Sequence, residues 1–367
     1  MKMVKKVLKT IGKILLGVLV VAVVFVIGVT IVHALTTMRE KGELADAGYI
    51  NTVTVNGKDL NYNAYGNIKG EHVIVTTSGL GVNDYGVMSH YVTDSLSEDN
   101  YIVNIDREGY GFSEDSLEAQ TVEHIVDTYR SALKEIGVEG PYVLLPHSIG
   151  GIYATYWECM YPEEIEGIVF LDTSEITEDA VFEDMDVTCS GYIFAGLSKT
   201  GLQRFVYDSI YTGPPAWVEE PELSYTRSLN IHSGGSFASV SETKLANENL
   251  KFVYEMLTET DIPKVMINAS SSFETEEDFV DYIEYANALL TAQGKEEYFD
   301  LSDEAKTEEV AQRYIENCAQ WREEHSMPYV ESLGNCQYVG IPGEHLIYQQ
   351  KPDEVAAAVE EFLKTLE

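Results

Sequence analysis

Tyr142-Val143-Leu144-Leu145-Pro146-His147-Ser148-Ile149-Gly150-Gly151-Ile152-Tyr153-Ala154 joins two local patterns. An apolar β-run stops at a serine, and two glycines follow before helical spacing begins. A hydroxyl on a sharp strand-to-helix turn points outward, beside the first free N–H groups of a helix. That position suits a nucleophile. A serine used this way needs a base, an acid to orient the base, and donors for an oxyanion.

Outward from this turn, strands alternate with helices. Asn51–Val55 and Lys58–Tyr65 flank Asn56-Gly57, a type I′ hairpin signal. Residues 72–77 form a β-branched run, followed by Ser78-Gly79-Leu80-Gly81. A helix is predicted near 84–96, a strand over 101–106 and a helix over 121–136, where Val122, Ile125, Val126, Tyr129 and Leu133 share a face. Residues 167–172 form another strand. The alternation predicts a mostly parallel sheet covered by helices on both faces. It breaks after Ser174, and the next strand is predicted at 264–268. A structureless loop of that length is improbable. The insert, 174–261, reads as a helical lid rich in aromatics: Tyr192, Phe194, Phe205, Tyr207, Tyr211, Trp217 and Tyr225, with Gly213-Pro214-Pro215. A second insert, about 270–313, is acidic and helical in pattern. A strand at 335–339 and an amphipathic helix over 352–366 close the chain.

The ends of the chain differ in charge. Of the 367 residues, 24 are basic and 61 acidic, a net charge of -37. Residues 1–35 carry five lysines and no acid, so the body is more acidic than the whole. Such a body repels nucleic acid, which is not expected as a partner. The 22 residues 14–35 carry no formal charge. That run is long enough to cross a bilayer. Lysines precede it, so the positive-inside rule puts residues 1–13 in the cytoplasm and the body outside, after a linker at 36–50. A cleaved signal peptide is the rival reading, with Val32-His33-Ala34 as its cleavage site. The run exceeds the roughly 7–15 residues of a signal core, which favours an uncleaved anchor. Cys159, Cys189, Cys318 and Cys336 lack metal-type spacing, and both disulfides and buried thiols stay open.

The ordered motifs resemble the α/β-hydrolase family from about Asn51 onward, with core segments at 51–173 and 262–367. They are Ser78-Gly79-Leu80-Gly81, Asp106-Arg107-x-Gly109-x-Gly111-x-Ser113, the serine turn, Gly167–Asp172, a cap insert, and Gly343-Glu344-His345. One departure is Pro146, where the family usually has glycine. Proline lacks an N–H, so the strand end loses a donor.

The resemblance implies Ser148 as nucleophile and His345 as general base, with Leu80 and Ile149 N–H groups as oxyanion hole. An aspartate in place of Ser148 would have suggested an epoxide hydrolase or dehalogenase. The usual loop for the acid, Ala269-Ser270-Ser271-Ser272-Phe273-Glu274, has no aspartate. Some related hydrolases place the acid instead at the end of the strand after the serine turn, and here that residue is Asp172. Asp172 is preferred, with Glu274 as the alternative and Glu276 or Asp278 behind it. His147 is expected to pack beneath the oxyanion loop, Asp106 and Arg107 to brace loops, and His325 to be a surface residue. No phosphate loop, metal cluster or dinucleotide fingerprint appears, so no cofactor or metal is expected.

The expected function is a membrane-anchored serine hydrolase acting on an apolar or aromatic carboxylic ester through an acyl-enzyme. The same machinery serves an iminopeptidase or amidase, a thioesterase or a C–C hydrolase. A protein that keeps the fold only to bind is the alternative from another class.

Overall fold

The computed structural model describes residues 2–182, 187, 189–207, 215, 217–292 and 294–366. Tyr211, Gly213 and Pro214 of the predicted lid lie outside the described residues. Among the described residues, eight strands form one sheet: β1 (Asn51–Val55), β2 (Lys58–Gly66), β3 (Val73–Thr77), β4 (Tyr101–Ile105), β5 (Tyr142–Pro146), β6 (Ile165–Leu171), β7 (Thr260–Asn268) and β8 (Gly334–Gly340). Their order is β1-β2-β4-β3-β5-β6-β7-β8. The β1–β2 and β2–β4 pairs are antiparallel, and all others are parallel. Asn56 and Gly57 turn the hairpin at φ 51° and 81°, as a type I′ turn requires.

The central strands are buried on both faces and read as nearly continuous apolar runs. Their side chains still sort by the two-residue period. Ile74, Ile102, Val143, Leu145, Val169, Leu171, Val265 and Ile267 face one layer, which the C-terminal helix Pro352–Leu363 covers with Val355, Val359, Phe362 and Leu363. Val75, Val103, Leu144, Ile168, Phe170 and Met266 face the other. There the helices Val122–Glu135 and Gly150–Met160 pack. Thr121 Oγ1 caps the first by accepting from the His124 N–H at 3.3 Å.

Several boundaries differ from expectation. Residues 84–96 form two short helices, Tyr85–Met88 and His90–Thr93. Gly86 and the β-branched Val92-Thr93 disfavour one longer helix. The N-terminal helix runs from Lys2 to Asp46 and so takes in residues 36–46, expected as linker. Met38, Arg39, Glu40, Lys41 and Glu43 are good helix formers. Leu44, fully buried with Ile50, Val87, Phe112 and Leu229, ties that end to the body. The second insert extends past residue 313, through helices Glu276–Ala292, Glu304–Trp321 and Met327–Ser332. It has a small core of its own in Phe279, Ile283 and Ala311. The cap between β6 and β7 holds helices Cys189–Ser198, Glu222–Ser233 and Phe237–Met256. All four cysteines are free thiols.

Candidate active site

Ser148 sits where β5 ends and the helix Gly150–Met160 begins, at φ 55°. Few non-glycine residues adopt this left-handed backbone, and it turns the side chain out of the sheet. Close packing holds the turn. A Cβ on Gly151 would come within 2.6 Å of the Thr173 Cβ. Pro146 occupies the last ladder position, opposite Thr77. The next residue resumes the ladder, His147 N–H donating to the Thr77 carbonyl at 2.9 Å. The donor that proline removes is thus lost at one position only.

Ser148 Oγ lies 2.9 Å from His345 Nε2. His345 Nδ1 lies 2.6 Å from Asp172 Oδ2. With the Nδ1 proton directed at the carboxylate, Nε2 is left to accept from the serine hydroxyl. His345 follows β8, in a loop tied back by the Glu344 N–H donating to Gln350 Oε1 at 2.7 Å. Asp172 follows β6 at φ 43°. Its other bonds come from the loop after β7. Ala269 and Ser270 N–H groups donate to Oδ1 at 2.7 and 3.1 Å, and Ser270 Oγ donates to Oδ2 at 2.5 Å. The loop that commonly carries an acid here holds Asp172 instead.

Glu274 is elsewhere. Its side chain is 69% exposed and pairs with Arg322 at 3.2 Å. Asp278 accepts from the Glu274 and Thr275 N–H groups at 3.0 and 2.8 Å, and Glu276 opens the following helix.

The electrostatics follow from these contacts. The protein around His345 disfavours its charged form, but the hydrogen bond and charge of Asp172 outweigh this and hold it above the ordinary histidine value. Burial alone would raise the Asp172 carboxyl. The bond to His345 brings it below the ordinary carboxylate value instead. His147 is fully buried, and burial with the neighbouring His345 pushes it down to about 3, so it is neutral. Its Nε2–H donates to the His345 carbonyl at 3.0 Å. Its Nδ1 lies against Gly79, where a Cβ would come within 2.8 Å. His147 therefore lies against the Ser78-Gly79-Leu80-Gly81 loop, and it also props the loop that carries His345.

The Leu80 and Ile149 N–H groups have no backbone acceptor among the described residues. A buried network holds the loop that carries Leu80. Arg107 Nη1 donates to the Ser78 carbonyl at 2.7 Å, and Nη2 donates to the Gly79 carbonyl at 3.0 Å. The Gly81 N–H donates to Tyr110 Oη at 3.1 Å. Glu242, from the cap helix Phe237–Met256, pairs with Arg107 at 3.1 Å and accepts from Tyr110 and Tyr153 at 2.7 and 2.5 Å. Arg107 braces the loop as expected. The cap residue that completes the brace was not foreseen, because its partners lie 89 and 132 residues away.

A cavity of about 540 Å³ opens beside Asp172 and His345. Both inserts line it: Glu175, Ala180 and Phe182 from the first, Trp321 and His325 from the second. Trp321 Nε1 donates to Glu175 Oε2 at 3.1 Å, and the His325 ring packs on the indole at 4.2 Å. His325 is thus part of the cavity wall and not a plain surface residue. The π-helical turn Arg322–Ser326 aims it inward, and Glu323-Glu324-His325 gave no sign of that turn.

No family model matches the chain. The uncharacterized protein YbdG of Bacillus subtilis (strain 168) is 25% identical over 364 residues, covering 97% of this chain and 99% of YbdG. Among solved structures, the epoxide hydrolase CorEH superposes with a TM-score of 0.57 at 15% identity, over 87% of this chain and 99% of CorEH. Est816, described as an N-acyl homoserine lactone degrading enzyme, superposes with a TM-score of 0.52 at 15% identity, over 85% of this chain and 100% of Est816. At these identities the likeness speaks for architecture. With the eight-stranded sheet and its flanking helices, it gives the chain the α/β-hydrolase fold, preceded by one long apolar helix.

Proposed function

We propose that this protein is a serine hydrolase that cleaves a carboxylic ester or related acyl bond. One observation carries the reading: His345 bridges Ser148 Oγ at 2.9 Å and the buried Asp172 carboxylate at 2.6 Å. Ser148 Oγ attacks the carbonyl carbon as its proton passes to His345 Nε2. Asp172 stabilises the imidazolium and keeps its tautomer. The Leu80 and Ile149 N–H groups hold the oxyanion. The imidazolium then protonates the leaving alcohol, and the acyl group stays on Ser148. Water, deprotonated by His345, attacks the acyl-enzyme and releases the acid. Est816 is described as degrading an N-acyl homoserine lactone; opening a lactone here would require the same steps with the alcohol tethered. The helical insert 174–261 acts as cap, and the cavity it shares with Trp321 and His325 takes the acyl or alcohol part.

Residues 14–35 cross a membrane in this reading, with the lysine-rich end in the cytoplasm and the hydrolase outside. A fluorophosphonate probe tests the chemistry. The parent should label and Ser148→Ala should not. A folded parent that fails to label, or equal labelling of both, would refute the nucleophile.

A further inference from the structure

The cap carries an apolar face that the body leaves uncovered. Its helix Cys189–Ser198 has no charged residue. That helix buries Ala195 and Ser198 and turns Ile193 and Leu197 outward, 62% and 49% exposed. Phe205, 69% exposed, and Val206 extend the face. A group of exposed apolar side chains this close in the chain marks a candidate contact with a protein or a membrane.

The face is continuous with the N-terminal helix. Phe205 stacks on Phe25, with ring centroids 6.5 Å apart. Gly201 approaches so closely that a Cβ there would lie 2.3 Å from the His33 Cβ. Arg204 grips the helix above this contact, donating to both Glu40 carboxylate oxygens at 2.8 and 2.7 Å. An apolar groove of about 390 Å³ runs between Phe205 and Val24, Phe25, Val29 and Val32. The cap therefore meets the helix within its uncharged run.

Depth follows from helix geometry. About twenty residues cross the hydrocarbon, and Lys13 can sit slightly below its own ammonium by snorkelling. A span ending between Val29 and Val32 places Phe25 about 6–10 Å beneath the surface, at about 1.5 Å per residue. Interfacial helices bury their apolar faces to about 5–10 Å. Glu40 and Arg204 then stay in the polar layer. An acidic body is repelled by anionic headgroups, so contact falls to this uncharged face.

We infer that Ile193, Leu197, Phe205 and Val206 seat the cap in the bilayer, and that the site draws amphiphilic acyl esters from that leaflet. Phe194, between the two outward residues of the helix, supplies the connection. It lines a cavity of about 230 Å³ that also reaches Gly81 of the oxyanion loop. The inference rests on the reading of the uncharged run as a membrane span, with its hydrocarbon part ending between Val29 and Val32, and of Ser148 as nucleophile.

The test uses the full chain in phosphatidylcholine vesicles. Tryptophan placed by Ile193→Trp or Phe205→Trp should add fluorescence that brominated-acyl phosphatidylcholine quenches. The Ile193→Glu/Leu197→Glu variant should hydrolyse a diacylglycerol dissolved in the vesicles at least ten-fold more slowly than the parent. Its rate on a water-soluble p-nitrophenyl ester should stay within two-fold, which also reports intact folding. Absence of quenching at both positions overturns the membrane seat. Equal loss on both esters, or loss on neither, overturns the route from the leaflet. Quenching in the tryptophan variants, with a parent that hydrolyses neither ester, overturns the substrate claim through failure of the Ser148 reading and supports the seat.

Discussion

Asp172 and His345 lie 173 residues apart in the chain and meet at 2.6 Å. The carboxylate reaches the imidazole from the end of β6, one strand nearer Ser148 than the loop after β7. Ser270 Oγ and the Ala269 N–H from that loop share the same carboxylate. The Asp172 carboxylate is therefore held by bonds from the loops after β7 and β8.

Asp172→Asn should lower kcat/KM on a soluble ester by about 10⁴, the scale seen when a triad acid becomes an amide and the histidine takes the wrong tautomer. Glu274→Gln, at an exposed pair with Arg322, should stay within about two-fold. Initial-rate kinetics on both variants decide between the carboxylates. The reverse ranking would reject Asp172.

The rate should depend on pH through His345. The general base must be neutral, and Asp172 raises its pKa above the ordinary 6.5. Activity should therefore fall as pH drops through a midpoint above 6.5, and be full at higher pH. In Asp172→Asn only the neighbouring Glu344 charge still favours the imidazolium against the surrounding protein, so the midpoint should move to lower pH. A kcat/KM profile of both proteins measures this. An unmoved midpoint would show that another group titrates.

Tyr110→Phe should act through the oxyanion loop. It removes the hydroxyl that accepts from the Gly81 N–H and donates to Glu242. One such bond is worth about 1 kcal/mol, or about a five-fold change. The loss should appear in kcat more than in KM, because the oxyanion forms only on the way to the acyl-enzyme. An effect confined to KM would place Tyr110 in ground-state binding instead.

Gly151→Ala should destabilise the fold by about 1–3 kcal/mol, the usual range for overpacking. The new Cβ would lie 2.6 Å from the Thr173 Cβ. Thr173→Gly removes that atom and should recover part of the loss. Denaturant unfolding of the single and double variants tests the coupling, and purely additive effects would disprove it.

Much of this molecule was legible from near neighbours in the chain. The period-two strands, the Asn56-Gly57 hairpin, the serine turn and the long apolar helix are local patterns, and each appears in the structure. Ser148, His345 and Asp172 were named from motif order, and the sheet brings them within hydrogen-bonding distance. The motif order preferred Asp172 but kept Glu274 open; the tertiary structure brings Asp172 to His345 and leaves Glu274 exposed beside Arg322. It alone placed Glu242 beside Arg107, His325 and Trp321 in the cavity wall, and Phe205 against Phe25. The physical reason is the range of the interactions. Backbone periodicity and turn sterics act over a few residues and leave a signature in sequence. Which distant side chains share a carboxylate or wall a cavity is set by how the inserts pack across the sheet ends, and no local spacing encodes that.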